Sequence, residues 1–262
     1  LDLGAANGST TGTLYFEGTG TLGGTGTVLF GASSQNTVEA QGTNNDTLPA
    51  TLTIGSGITI NADAGGGEVY SYFPGDRLIF QGTIHSNNGG TLQFAGTQWT
   101  NEGTIQESGG GFLKLGGVNF TNRGTIIGSS AITYVDGILD NTGKTLALNS
   151  STGTWYLLGG EIIGGTVTTT GTAKLIVTTQ GDQGVGGTFM YGGVLDGVTL
   201  AGTLDLMQAD KASGPLTIMD GLTLQNGLVE MTGDLSNFLF SGTQTLGCLL
   251  YTSPSPRDRQ KS

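Results

Sequence analysis

The chain has 262 residues with 50 glycines, a net charge of -11 and a mean hydropathy near zero. Glycine at more than twice its ordinary share weakens helix interiors by nearly 1 kcal/mol each, and the abundant threonines favour extended backbone, so a mainly helical protein is excluded and an all-β one is left. Five prolines without a G-X-Y period exclude collagen, while 35% hydrophobic residues supply a core that a disordered chain would lack.

Residues 1–247 hold six basic and nineteen acidic side chains. A surface this acidic repels phosphate backbones and anionic lipid, so nucleic acid is not an expected partner. No stretch approaches the ~18 apolar residues of a span, and membrane insertion by this segment is not expected. The chain starts without an initiator Met or a charged-then-apolar leader, and is expected to begin inside a longer protein. Its one cysteine, Cys248, leaves the body without disulfides, as suits export in an unfolded state.

Taken in chain order, the first segments carry Thr-x-Thr at Thr11/Thr13, Thr19/Thr21 and Thr25/Thr27, with further pairs at Thr152/Thr154, Thr166/Thr168 and Thr170/Thr172. Flat threonine arrays bind ice or crystalline surfaces in some β-solenoids, but irregular spacing and central glycines favour ordinary polar β surface. The main signal follows. Gly-Thr-Ile recurs at Gly82-Thr83-Ile84, Gly103-Thr104-Ile105 and Gly124-Thr125-Ile126, 21 residues apart, and Thr145-Leu146 continues the series after 20. Trp99-Thr100-Asn101, Phe120-Thr121-Asn122 and Leu139-Asp140-Asn141 keep step with it, and so do segments ending on Gly96, Gly117, Gly137 and Gly160. Gly160-Glu161-Ile162-Ile163-Gly164 is echoed 33 residues later by Gly193-Val194-Leu195-Asp196-Gly197, which predicts an insertion.

Units of 21 residues are too small to bury a face alone, and stacking them gives each strand a partner in the next turn. The expected architecture is a single elongated domain, a right-handed parallel β-helix of roughly 21-residue turns over residues 1–247, about twelve turns in all. Alternation points Ile84, Ile105, Ile126 and Leu146 inward in one column, with Thr83, Thr104, Thr125 and Thr145 outward as a ladder. Asn101, Asn122 and Asn141 are expected at one corner, with at least two of their amides hydrogen-bonded along the axis. An antiparallel sandwich has no reason to keep this register.

The Asn-x-Gly-Thr-Ile turns and the segment Leu195-Asp196-Gly197-Val198-Thr199-Leu200-Ala201-Gly202-Thr203-Leu204 resemble the passenger regions of autotransporters and filamentous-haemagglutinin-like adhesins, over residues 10–245. The resemblance implies a repetitive, extracellular display shaft at a bacterial cell surface. Cys248 to Asp258 resembles the translation of a transposon-end adapter used in sequencing libraries. That implies a metagenomic fragment with an adapter-derived, unstructured tail at residues 248–262, and no role for Cys248, Arg257, Arg259 or Lys261.

Chemistry is sparse. With His85 alone and no cysteine in the body, zinc is excluded and His85 is read as a solvated turn residue. Asp182, Asp196, Asp205 and Asp210 are scattered acids without a calcium-repeat motif. A pectin-lyase-like carbohydrate enzyme needs acids gathered on neighbouring turns, and Asp136 with Asp140 is the nearest pair. No catalytic, cofactor-binding or metal residue is assigned, and no cofactor is expected. Among Trp99, Phe120, Tyr134, Trp155 and Tyr156, the alignment of Trp99 and Phe120 with Leu139 marks a core column, which leaves Tyr156 as the surface candidate for a glycan platform. The expected role is a non-enzymatic shaft for adhesion or display, whose partners are host or matrix glycans or proteins, with end-to-end self-association at exposed strand edges.

Overall fold

The computed structural model describes residues 1–43, 47–178, 192–207, 214–232 and 236–242. These residues form short strands and turns without a helix, and every strand pairing is parallel to its neighbour in the next turn. The chain is a β-solenoid of about nine turns, with successive turns about 23 residues apart.

Up to residue 127 each turn visits three sheets; beyond it the first sheet has ended and the turns run between the third and the second. In one central turn the strands are Thr83–Ser86 on the first sheet, Thr91–Ala95 on the second and Gln98–Asn101 on the third. Alternation within each strand sends every second side chain inside, as at Leu92 and Phe94, which are fully buried. The third sheet shows the resulting buried column: Leu52, Leu78, Trp99, Phe120, Leu139, Ile162, Leu195 and Ile218 lie in register, with Gly20 before them and the exposed Phe240 after. Trp99 and Phe120 stack at 4.5 Å with planes 1° apart, and the Trp99 indole N–H donates to the Gly116 carbonyl at 2.7 Å. They are core residues, as their alignment predicts.

The expected column of Ile84, Ile105 and Ile126 is present, and it extends back to Ile60 and Val28. Leu146 departs from it. Its strand, Thr145–Leu148, pairs with Thr166–Thr169 rather than with Thr125–Ile127. The reason is one additional residue at the corner, where Asn141-Thr142-Gly143-Lys144 replaces the three-residue Asn122-Arg123-Gly124, and Gly143 turns with a φ of 68°. Leu146 is still buried, but in register with Val167 and Leu200.

The corner asparagines share one column, and at least two of their amides hydrogen-bond along the axis, as expected. Asn101 donates through Nδ2 to Asn122 Oδ1 at 2.8 Å, and its own Oδ1 accepts the Gly103 N–H at 3.1 Å. Asn141 reaches instead to the Gly164 and Thr166 carbonyls of the next turn, where no asparagine is available. The repeated corner glycines have a steric cause. A Cβ on Gly103 would lie 2.0 Å from the Gly82 carbonyl oxygen, and one on Gly124 would lie 2.2 Å from that of Gly103.

Twelve turns were expected from a 21-residue period, and there are fewer because several turns are longer. Thr21 registers with Thr53, a step of 32, and Glu161 with Val194, the step of 33 that the Gly160 and Gly193 motifs predict. Buried Asp76 holds one of the long turns closed, accepting the N–H groups of Ala50, Gly42 and Phe73 at 2.7, 2.9 and 2.9 Å. Residues 248–262, including Cys248, Leu249, Leu250, Tyr251, Arg257, Arg259 and Lys261, lie outside the described residues, as do Asp182 and Asp210.

Candidate functional site

The three outer faces differ in chemistry. On the first sheet, Thr27, Thr59, Thr83, Thr104 and Thr125 form a ladder one residue wide. A second ladder of Thr145, Thr166, Thr199 and Thr223 begins where the register breaks. Beside the first runs the file Leu29, Asn61, His85, Gln106 and Ile127, so no flat two-column threonine array is built. His85 is about a third exposed and its Nδ1 lies 3.0 Å from Asp63 Oδ1, within hydrogen-bond distance across the surface.

The third sheet carries a shallow groove of about 250 Å³ bordered by Arg77, Gln98, Thr100, Asn119, Thr121 and Asp140. Asp136 lies elsewhere. It follows the strand Ile132–Val135 of the second sheet and its carboxyl covers Gly116, whereas Asp140 belongs to the strand Ile138–Asp140 of the third. The structure therefore does not bring this pair together. On the third sheet, two acids that do interact are Glu161 and Asp196: partial burial, and then the Asp196 charge, raise the Glu161 carboxyl above its ordinary value. They are 35 positions apart across an insertion, and no sequence motif joins them.

On the second sheet the outward side chains form two files. One runs Glu68, Gln93, Lys114, Tyr134, Tyr156, Ile176, Asp205 and Glu230; the other runs Tyr15, Glu39, Tyr70 and Ala95. All five described tyrosines, Tyr15, Tyr70, Tyr72, Tyr134 and Tyr156, lie on or directly after strands of this sheet. Phe112 stacks on Tyr134 at 6.0 Å, Tyr134 contacts Tyr156 at 5.8 Å, and Tyr70, Tyr72 and Phe73 form a second cluster. Tyr134 is buried by these neighbours, Tyr156 is half-buried, and Tyr15 and Tyr72 are exposed by 56% and 52%. Trp155 points inward and is buried.

Acids cluster on the same face. Glu39 is buried between Tyr15 and Tyr70, and the Tyr70 hydroxyl, hydrogen-bonded to Glu39, is held well above the usual tyrosine range, chiefly by burial. Burial, and then repulsion from Glu39, raise the Glu68 carboxyl, which accepts the Gln93 amide at 3.0 Å. Near the C-terminal turns, Lys174 Nζ bridges Asp205 at 3.2 Å and Glu230 at 2.5 Å, so hydrogen bonding to Glu230 and then Asp205 raises its pKa.

No protein-family model, curated protein or solved structure matches this chain. The chemistry of the faces therefore carries the functional argument. Tyrosines present an apolar ring with a polar tip, which suits contact with a partner that is itself wet and hydroxylated. Six acids, Glu17, Glu39, Glu68, Asp136, Asp205 and Glu230, against Lys114 and Lys174 make this face negative and disfavour anionic partners.

Proposed function

We propose that this chain is a non-catalytic shaft of a bacterial secreted or surface protein, serving adhesion or display, with the second-sheet face as its contact surface. The observation that carries this is the segregation of tyrosines onto one face of a rod whose other faces are threonine-rich or mixed polar. A contact surface built along the axis suits an extended partner such as a neutral glycan chain, because rings at successive turns can meet successive sugar units.

A second reading, a carbohydrate-active β-helix, is favoured by one feature: Glu161, its carboxyl raised by partial burial and then by the Asp196 charge, stands near a second acid on the neighbouring turn. The test is to incubate the full chain with a glycan panel, polygalacturonate and other uronates, measuring both retention and cleavage. Retention of neutral glycans without turnover, weakened in Tyr156→Ala and Tyr72→Ala, is the expected result. Turnover abolished by Glu161→Gln, with the circular dichroism spectrum unchanged, would replace the shaft with the enzyme.

A further inference from the structure

The ladder of corner amides stops where the register breaks. Asn101 Nδ2 donates to Asn122 Oδ1 at 2.8 Å, and a continued ladder would carry Asn122 Nδ2 on to Asn141. The additional residue in Asn141-Thr142-Gly143-Lys144 interrupts it, and Asn141 Nδ2 turns to the Gly164 and Thr166 carbonyls. Asn122 Nδ2 is left without an acceptor among the described residues. The Gly124 N–H is left over at the same corner. One turn earlier the equivalent Gly103 N–H is taken by Asn101 Oδ1 at 3.1 Å, whereas Gly124 N–H has no such partner among the described residues.

Asn122 and Gly124 line a hollow of about 390 Å³ together with Arg123, Lys144, Leu139 and Leu146, and none of its lining residues is acidic. The groups belong to two successive turns, because Asn122 and Asn141 directly follow the paired Thr121 and Asp140; one strand spacing, ~4.8 Å, separates the two corners. Arg123 and Lys144 are two of the six basic side chains of residues 1–247, gathered at one hollow of an otherwise acidic rod. Neighbouring acids do little to neutralise them. Glu102 meets Arg123 only at 3.5 Å, with the Arg123 side chain 60% exposed, and Asp140 accepts the Thr142 N–H at 3.0 Å. Lys144 forms no ion pair among the described residues.

We propose that this corner binds the oxyanion group of an acidic sugar, a carboxylate or a sulfate ester, through Arg123, Lys144, the Gly124 N–H and Asn122 Nδ2. Charged and neutral N–H donors around one hollow select an oxyanion, and the planar guanidinium does so with a fork of donors. The hollow falls within the size range of small-molecule sites, which is more room than a bare inorganic ion fills. Leu139 and Leu146 give it apolar wall for a sugar ring, and Asn141 and Thr145 give polar partners for hydroxyls. The site lies at the corner between the third and first sheets, and it stands independently of the role of the tyrosine face.

The test follows the Gly124 amide and Asn122 side-chain signals of the isotope-labelled full chain by NMR, while glucuronate, glucose 6-sulfate, glucose or sodium sulfate is added at constant ionic strength. At least one acidic sugar is expected to shift both signals saturably, and the tighter of the two identifies the substituent. Glucose should shift neither, and sodium sulfate should act only at about tenfold higher concentration. Arg123→Gln and Lys144→Gln, both at exposed positions, should each weaken the acidic sugar about tenfold, and Asn122→Ala about threefold. Tyr72→Ala and Tyr156→Ala should leave these shifts unchanged, which separates this site from the second-sheet contact. Three outcomes overturn the proposal: sodium sulfate acting as tightly as the sugars, which makes the hollow a bare anion site; glucose matching them, which removes charge from the recognition; or no saturable shift with any of the four.

Discussion

The central turns, residues 77–127, and the later ones, residues 193–224, solve the same corner problem differently. In the centre, each turn breaks into separate strands, and the corner from third to first sheet is made by Phe80-Gln81-Gly82 and then by Asn-x-Gly at Asn101 and Asn122, with glycine backbones packed against one another and Asn101 bonded to Asn122. Further on, the strands Gly193–Ala201 and Leu216–Leu224 run through the corner without a break. They bend at a bulge, where Gly197 has a φ of 60° opposite Asp220 and Gly221 at 49° and 92°. A corner can therefore be closed by close backbone contact, which tolerates no side chain, or by backbone twist, which tolerates one at a moderate cost.

Substitutions can break or sharpen this contrast. The largest effect is expected for Trp99→Ala, which removes the central stack and orphans the Gly116 carbonyl; urea unfolding should show a loss of about 3–5 kcal/mol. Gly103→Ala follows, at about 3 kcal/mol, because its Cβ would meet the Gly82 carbonyl within a ladder that cannot widen. Gly197→Ala, with open space around its Cβ but a left-handed φ, should cost only about 1 kcal/mol. Equal losses at Gly103 and Gly197 would show that the two corners do not differ. Asn101→Ala should cost about 1–2 kcal/mol by leaving Gly103 N–H and Asn122 Oδ1 without partners.

The smallest effect concerns pH. Glu68 has a folded pKa above its unfolded value, so the folded state holds the proton more tightly. The stabilisation this provides is complete below the unfolded pKa of 4.5 and is lost as pH rises through the raised folded value. Glu68→Gln should therefore stabilise the protein at neutral pH, by less than about 1 kcal/mol for a partly exposed group, and flatten the melting midpoint over the mildly acidic range.

The fold was legible where the period was constant. Two equal intervals between Ile84, Ile105 and Ile126 identified a column, and the echo of Gly160 at Gly193 located an insertion. The same constancy misplaced Leu146, since an additional corner residue leaves the spacing of apolar residues almost unchanged while shifting the strand out of register. Thr27 and Thr59 were not joined to the ladder of Thr83, Thr104 and Thr125 because steps of variable length hide their register. The second-sheet tyrosines were only partly visible: Tyr156 stood out, but Tyr15 and Tyr70 join that face through turns without a fixed period.

The bridge from Lys174 to Asp205 and Glu230 has a mechanical consequence. A parallel solenoid pulled from one end loses its turns in sequence, as a zipper does, because each turn is held only by its neighbours. Lys174, Asp205 and Glu230 belong to three successive tiers, and Thr232 secures Asp205 from the last of them. Peeling from the C-terminal side has to break this rivet before the tier holding Lys174 can come free, so under tension that stretch would yield as a block and set the load at which the rod begins to unwind.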